Sequence, residues 1–199
     1  MRVFLAGATG VIGSRLVPML VAAGHEVAGT TRTPDKATTL EEMGATPVVV
    51  DVFDSEALRR AVVGFGPEMV IHQLTDLPDD ATRLSGHLAA NSRMRIEGAA
   101  NLVAAARAAG ATRLVAQSIA WEPAPGPTAD GVASLERQML DFGGTILRYG
   151  QFYGPGTFHP HKAPVAPRVH LDTAAWLTMD ALHLEPGVYA VTDDGIAAL

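Results

Sequence analysis

Glycine punctuates the first apolar segment of this chain at a spacing that leaves few folds open. Arg2 to Ala6 is a short continuous apolar run, Gly7-Ala8-Thr9-Gly10-Val11-Ile12-Gly13 follows at once, and apolar residues then recur at helical spacing from Val11 to Ala23 until Gly24 stops them. The pattern is strand, turn, helix. The first glycine permits the sharp reversal, the second lets a ligand approach the backbone because no Cβ intervenes, and the third lets the helix lie close against the strand. Unpaired N–H groups at the start of a helix, with the positive end of its dipole, suit a pyrophosphate. Gly7, Thr9, Gly10, Val11, Ile12 and Gly13 are therefore expected to hold the diphosphate of a dinucleotide. A purely structural glycine turn is the alternative, and the placement between strand and helix weighs against it.

The rest of the chain alternates in the same way. Glu26 to Thr31 reads as a strand, and Thr33 is expected to cap a helix that carries Pro34 in its first turn and ends at Gly44. Thr46 to Val50 is a third strand, Asp54 caps a helix through Val63, Met69 to Leu74 is a fourth strand, and an alanine-rich helix runs from Thr82 to Ala109. Leu114 to Ser118 and Thr145 to Tyr149 read as strands with a helix from Val132 to Phe142 between them; a helix from Asp172 to Leu184 and a last strand, Gly187 to Val191, follow. Short strands apolar on both faces and separated by helices predict an α/β, Rossmann-type doubly wound parallel sheet. Glu122 to Asp130, with three prolines, and Gly154 to Pro167, with four, break the alternation and are expected as loops near the sheet's C-terminal edge.

Composition narrows the partners. A chain of 199 residues has room for one main core, so residues 1–199 are expected to form a single dinucleotide-binding domain, with a reduced substrate-proximal region made mainly by 119–131 and 150–199. The net charge of −6 argues against nucleic acid and against an anionic membrane as partners, which leaves a small molecule. Without cysteine there is no disulfide, thiolate nucleophile or sulfur-bound zinc. No secretory leader or membrane-spanning stretch is visible in the sequence, and a cytoplasmic location is expected.

The end of the second strand usually decides between the two nicotinamide dinucleotides: an acid accepts from the ribose 2′-OH, whereas a base meets a 2′-phosphate. Thr30-Thr31-Arg32 offers no acid, and the planar fork of Arg32, with Lys36 nearby, suits phosphate. NADP is the expected cofactor, with NAD left open; a merely solvated Arg32 is the alternative.

The opening Gly7-Ala8-Thr9-Gly10-Val11-Ile12-Gly13 resembles the extended and atypical short-chain dehydrogenase/reductase superfamily, in particular its NAD-dependent epimerase/dehydratase group. Later blocks agree in order: Asp51-Val52, Val70-Ile71-His72-Gln73-Leu74, Glu97-Gly98-Ala99-Ala100-Asn101-Leu102, Arg148 through Tyr153-Gly154-Pro155-Gly156, and Arg168-Val169-His170-Leu171-Asp172-Thr173-Ala174. The resemblance implies that Asp51 and Val52 contact the adenine, and that Gln73, Leu74 and Thr75 lie beside the cofactor ribose. It also implies a substrate over the C-terminal strand edge, between the cofactor and the proline-rich loops.

Departures from that pattern bear on the chemistry. The superfamily relies on a tyrosine four residues before a lysine, whose charge eases proton exchange between the phenol and a substrate oxygen. Here the matching helix reads Gly131-Val132-Ala133-Ser134-Leu135-Glu136, with Gly131 at the tyrosine position and Leu135 at the lysine position. Lys36 and Lys162 are the only lysines in the chain, and the asparagine of the family's long helix falls at Arg95, with Asn91 one turn earlier. Candidate catalytic residues are Tyr153, in the second proline loop, and Ser118, which matches the first serine of the family's fifth-strand run. Packing is the competing reading for both. A metal at His159, His161 and His170 is disfavoured, because no carboxylate follows at ligand spacing.

Three functions remain open. The first is an NADP-dependent oxidoreductase acting on a small, largely apolar metabolite, with Trp121, Phe152, Tyr153 and Phe158 as candidate lining. The second is a non-redox isomerase, cyclase or lyase on the same scaffold, and the third a non-catalytic NADP-binding sensor. The short stretch between Phe158 and Arg168 suggests a shallow pocket or one completed by a second copy in a homodimer.

Overall fold

The computed structural model describes residues 1–78 and 81–199. Its strands are β1 (Arg2–Ala6), β2 (Glu26–Thr31), β3 (Thr46–Val49), β4 (Met69–His72), β5 (Arg113–Ile119), β6 (Thr145–Tyr149), β7 (Gln151–Tyr153), β8 (Arg168–His170), β9 (Gly187–Thr192) and β10 (Gly195–Ala198). Eight of them form the main sheet, in the order β10-β9-β6-β5-β4-β1-β2-β3. Every pairing in it is parallel except that of β10 with β9. The chain steps from β1 to β2 and β3 on one side and returns to β4 on the other, so the order reverses at β1/β4 and opens a crevice at the strand ends there. The expected doubly wound α/β architecture is what forms.

Helices cover both faces. Strand alternation puts Val3, Leu5, Met69 and Ile71 on one face with Leu16, Val17 and Leu20 of α1 (Gly13–Ala22) and Leu171, Ala174 and Ala175 of α7 (Leu171–Ala181). Phe4, Ala6, Val70, Ala116 and Ile146 face the other way, onto α3 (Ser55–Phe65), α5 (Ala99–Ala108) and α6 (Pro127–Phe142). Fully buried side chains such as Phe4 and Leu5 each contribute about 1.5–3 kcal/mol by leaving water. Asp54 caps α3 as expected, its carboxylate accepting from the Ala57 N–H at 2.9 Å.

Three local expectations fail. Thr33 makes no side-chain cap; the segment opens as a 3₁₀ turn over Pro34–Lys36 before α2 (Ala37–Glu42). The proline density around residue 127 does not keep that stretch in a loop: Gly126, at φ +128°, turns the chain, and Pro127 starts α6, where its missing N–H costs nothing. The expected long helix does form, as α4 (Leu84–Arg93) and α5 joined without a break by one π turn, Met94–Gly98. Finally, Gly187–Thr192 is not the last strand: it forms a hairpin with β10, and a second small sheet pairs β7 with β8 across the second proline loop. No helix among the described residues is long and apolar enough to cross a membrane.

Candidate functional site

The glycine turn joins β1 to α1 at the crevice. Gly7 sits at φ +87°, and a Cβ there would stand 2.6 Å from the Gln73 carbonyl oxygen; one on Gly13 would overlap the Gly7 carbonyl oxygen. Both glycines are required by the backbone itself. The Gly7 N–H donates to Thr30 Oγ1 at 2.9 Å and the Gly10 N–H to the Gly7 carbonyl at 3.0 Å, which fixes the turn. The N–H groups of Thr9, Val11 and Ile12 meet no acceptor among the described residues. Donors left open at a helix start, behind glycines that admit close approach, fit a diphosphate.

The residues expected around the adenosine end line the same edge. Arg32 follows β2, and its Nη2 meets Asp76 Oδ1 at 3.0 Å, across from the end of β4. Asp76 is itself held, its N–H donating to Asn91 Oδ1 at 3.0 Å. Asp51 Oδ1 accepts from the Phe53 N–H, and buried Val52 lends its carbonyl to Asn101 Nδ2. Gln73 is buried, donates weakly to the Tyr149 hydroxyl at 3.4 Å, and keeps its Oε1 without a partner; Leu74 and Thr75 are partly buried beside it. Lys36 lies with Thr9, Ser14 and Thr39 around a shallow cleft beside the turn.

Beyond β4 the edge is built from a buried ionic network. Ser118 Oγ on β5 donates to Glu136 Oε1 on α6 at 2.6 Å, and Arg148 on β6 grips both carboxylate oxygens at 2.8 and 2.6 Å. Burial works to raise the Glu136 carboxyl, but the hydrogen bonds from Arg148 and Ser118 and the charges of Arg148 and Arg95 hold it below its usual range. Next to this network lies His72, fully buried with neither ring nitrogen partnered; desolvation pushes it down to about 4, so it is neutral. The two positions that carry the family's proton relay are closed off. A Cβ on Gly131 would stand 2.8 Å from Ser92 Oγ, and Leu135 is 1% exposed in the core.

Tyr153 stands elsewhere, on β7. Its hydroxyl donates to both Asp193 carboxylate oxygens at 3.2 Å, its ring lies edge-on to His170 at 5.1 Å, and Asp193 also holds Arg168 Nε at 3.1 Å. Burial, then the Asp193 charge, push the phenol up from its ordinary range. Ser118 and Tyr153 thus belong to separate networks with no shared partner. Trp121 lies with Leu88, Pro123 and Pro125 around a groove at the first proline loop, and Phe152 packs on the Tyr149 ring at 5.2 Å.

The Glu136–Arg148 ion pair was not among the sequence expectations, although a signal existed. Glu136 falls on the same buried face of α6 as Leu135 and Met139, and Arg148 shares a sheet face with Ile146. A charge on each buried face calls for a partner.

Comparison with known proteins agrees with this geometry. Residues 7–140 match the family described as NAD(P)H-binding. A Streptomyces 3-diazoavenalumate denitrifying reductase is 40% identical over 239 residues, covering 98% of this chain and 76% of that protein. The matched span thus exceeds the 199 residues present here, and the relative carries extra residues within it. A 3-beta-hydroxysteroid dehydrogenase from Mycolicibacterium neoaurum is 32% identical over 114 residues, covering 57% of this chain and 31% of that protein. Among solved structures, the UDP-glucose 4-epimerase of Thermus thermophilus in complex with NAD superposes with a TM-score of 0.80 at 24% identity, over 100% of this chain and 79% of that one.

Proposed function

This chain belongs to the NAD(P)H-binding family, within the short-chain dehydrogenase/reductase superfamily, and from that premise we propose that it is an NADP-dependent oxidoreductase acting on a small, largely apolar molecule. The observation that carries the reading is the open glycine turn, with the unpaired N–H groups of Thr9, Val11 and Ile12 at a helix start. A bound nicotinamide supplies or accepts a hydride. The chain's own residues do the positioning: the turn holds the diphosphate, Arg32 and Lys36 meet the 2′-phosphate, Asp51 and Val52 face the adenine, and Gln73, Leu74 and Thr75 lie beside the ribose. The substrate lies over the strand ends against residues 119–131 and 150–199, and residues 1–199 act as one domain.

The closed relay positions bear on the kind of reduction. A carbonyl acceptor needs a proton on oxygen as hydride arrives, and neither Gly131 nor Leu135 can deliver one. The 40% identical relative is named for denitrifying a diazo compound. In a reductive loss of nitrogen the carbon gains a hydride while the carbon–nitrogen bond breaks, and the bonding pair leaves with dinitrogen. No oxygen is protonated, so a site without tyrosine and lysine suffices. We place this chain in that reaction class, with Ser118 serving the Glu136 network and Tyr153 bracing the second loop rather than moving protons.

A second reading, a non-redox isomerase or lyase, draws on the same loss of the relay, and a cofactor-binding sensor draws on the turn alone. NADPH absorbance, followed with aryl diazonium compounds and with a panel of carbonyl compounds, separates them. Oxidation of NADPH with release of nitrogen supports the first reading. Conversion at constant absorbance supports the second, and tight NADPH binding with no turnover of any compound supports the sensor.

A further inference from the structure

The π turn Met94–Gly98 interrupts the helix on the α6 side of the sheet, and π turns recur where a helix must aim a side chain at a site. Arg95 lies in it. It is partly buried, and it makes no hydrogen bond or ion pair to any described residue. Its neighbour Arg93, by contrast, is fully engaged by Glu97 at 2.7 and 3.0 Å. Burial presses the Arg95 guanidinium down, with only the charge of Glu136 opposing.

The surrounding charges do not balance. Glu136 is already taken by Arg148 on both oxygens and by Ser118, so it has little left for a second guanidinium. His72, which feels the Arg95 charge, is neutral and has two unpartnered ring nitrogens in full burial. Arg95, Glu136, Arg148 and His72 together leave one positive charge over, among described residues, at the C-terminal edge of β4 to β6. A guanidinium whose stem is partly buried and whose nitrogens bond to no protein acceptor keeps its fork free for a planar anion, which it meets with two parallel hydrogen bonds.

We propose that Arg95 is the substrate-recognition residue of this site, taking the carboxylate of a small, otherwise apolar substrate. The inference rests on the oxidoreductase reading above and supplies the substrate class that reading lacks. The glycine turn and Arg32 provide for the cofactor's phosphates at the β1/β2 side, so the anion at Arg95 comes from the substrate. Clearing tyrosine from position 131 and lysine from position 135 leaves Arg95 as the only partly buried, unpaired basic group that the π turn and α6 bring to this edge, among described residues.

The test compares cinnamate with cinnamamide, which share shape and differ in charge, by titration calorimetry on the full chain with and without NADPH. Cinnamate is expected to bind at least tenfold more tightly than the amide. Arg95→Gln should erase the difference, and Arg95→Lys should restore part of it, while NADPH affinity stays within about twofold in both variants. Melting curves of both variants confirm that they fold. Equal binding of acid and amide, no cinnamate binding at all, or a preference that survives Arg95→Gln overturns the proposal. Loss of NADPH affinity in Arg95→Gln would assign the charge to the cofactor and overturn it as well. Failure of NADPH to bind the unaltered chain, with the acid preference intact, would instead count against the oxidoreductase reading alone.

Discussion

The two flanks of the crevice are built on opposite principles. The β1–β3 flank offers main chain: Gly7 and Gly13 exclude side chains, and Thr9, Val11 and Ile12 present bare N–H groups. The β4–β6 flank offers side chains, and they differ from the family's pattern: Gly131 and Leu135 stand at the relay positions, and Glu136, Arg148 and Ser118 form a closed network beside Arg95. A backbone cradle tolerates little change because any Cβ collides with it. A side-chain site can be rewritten position by position while the scaffold persists.

The largest way to break this contrast is Gly7→Ala. The added Cβ meets the Gln73 carbonyl at 2.6 Å on a backbone at φ +87°, so the fold should lose about 3 kcal/mol or more and NADPH binding should vanish in calorimetry. Retained binding would show that the cradle is not where the cofactor sits.

A pH titration sharpens the contrast next. The unfolded chain protonates His72 near 6.5, while the folded chain holds it neutral to about 4. Stability from this group is therefore whole above pH 6.5 and drains as pH falls toward 4, by on the order of 3 kcal/mol. Urea unfolding of His72→Leu should show a correspondingly shallower fall over that range than the unaltered chain.

Glu136→Gln takes away the carboxylate that both Arg148 and Arg95 feel. It should cost about 2 kcal/mol, less than a fully buried pair would because the Arg148 side chain is 37% exposed. Urea melts would register that loss, and NADPH affinity should hold, since the two flanks are separate devices.

The smallest effects concern cofactor choice. Arg32→Ala should weaken NADP about tenfold more than NAD. Asp76→Asn frees Arg32 from its internal partner and should tighten NADP by no more than a few-fold, as expected for a pair whose arginine is 51% exposed. Equal loss of both nucleotides in the first variant would remove the proposed preference.

What the sequence disclosed follows the same division. The glycine spacing, the Asp54 cap and the strand–helix alternation are local, and each reads correctly from neighbours along the chain. Pro127 misled because proline density says loop unless one sees that Gly126 has already turned the chain and left position N1 to proline. Strand β10 was missed although Asp193-Asp194-Gly195 is a turn signal, because the four residues that form it are mostly small and only pairing with β9 makes them a strand. The Glu136–Arg148 pair joins residues on different elements, and only the fold places that carboxylate under that guanidinium.

One side chain bridges the two ends of the crevice. Arg15, in the first turn of α1, gives Nη1 to the Val11 carbonyl, Nη2 to the Pro155 carbonyl at 3.2 Å and Nε to Asp172 at 2.6 Å. One fork thus ties the second proline loop and the start of α7 to the glycine turn, so a displacement of that loop is passed on to the carbonyl of Val11 at the foot of the first helix.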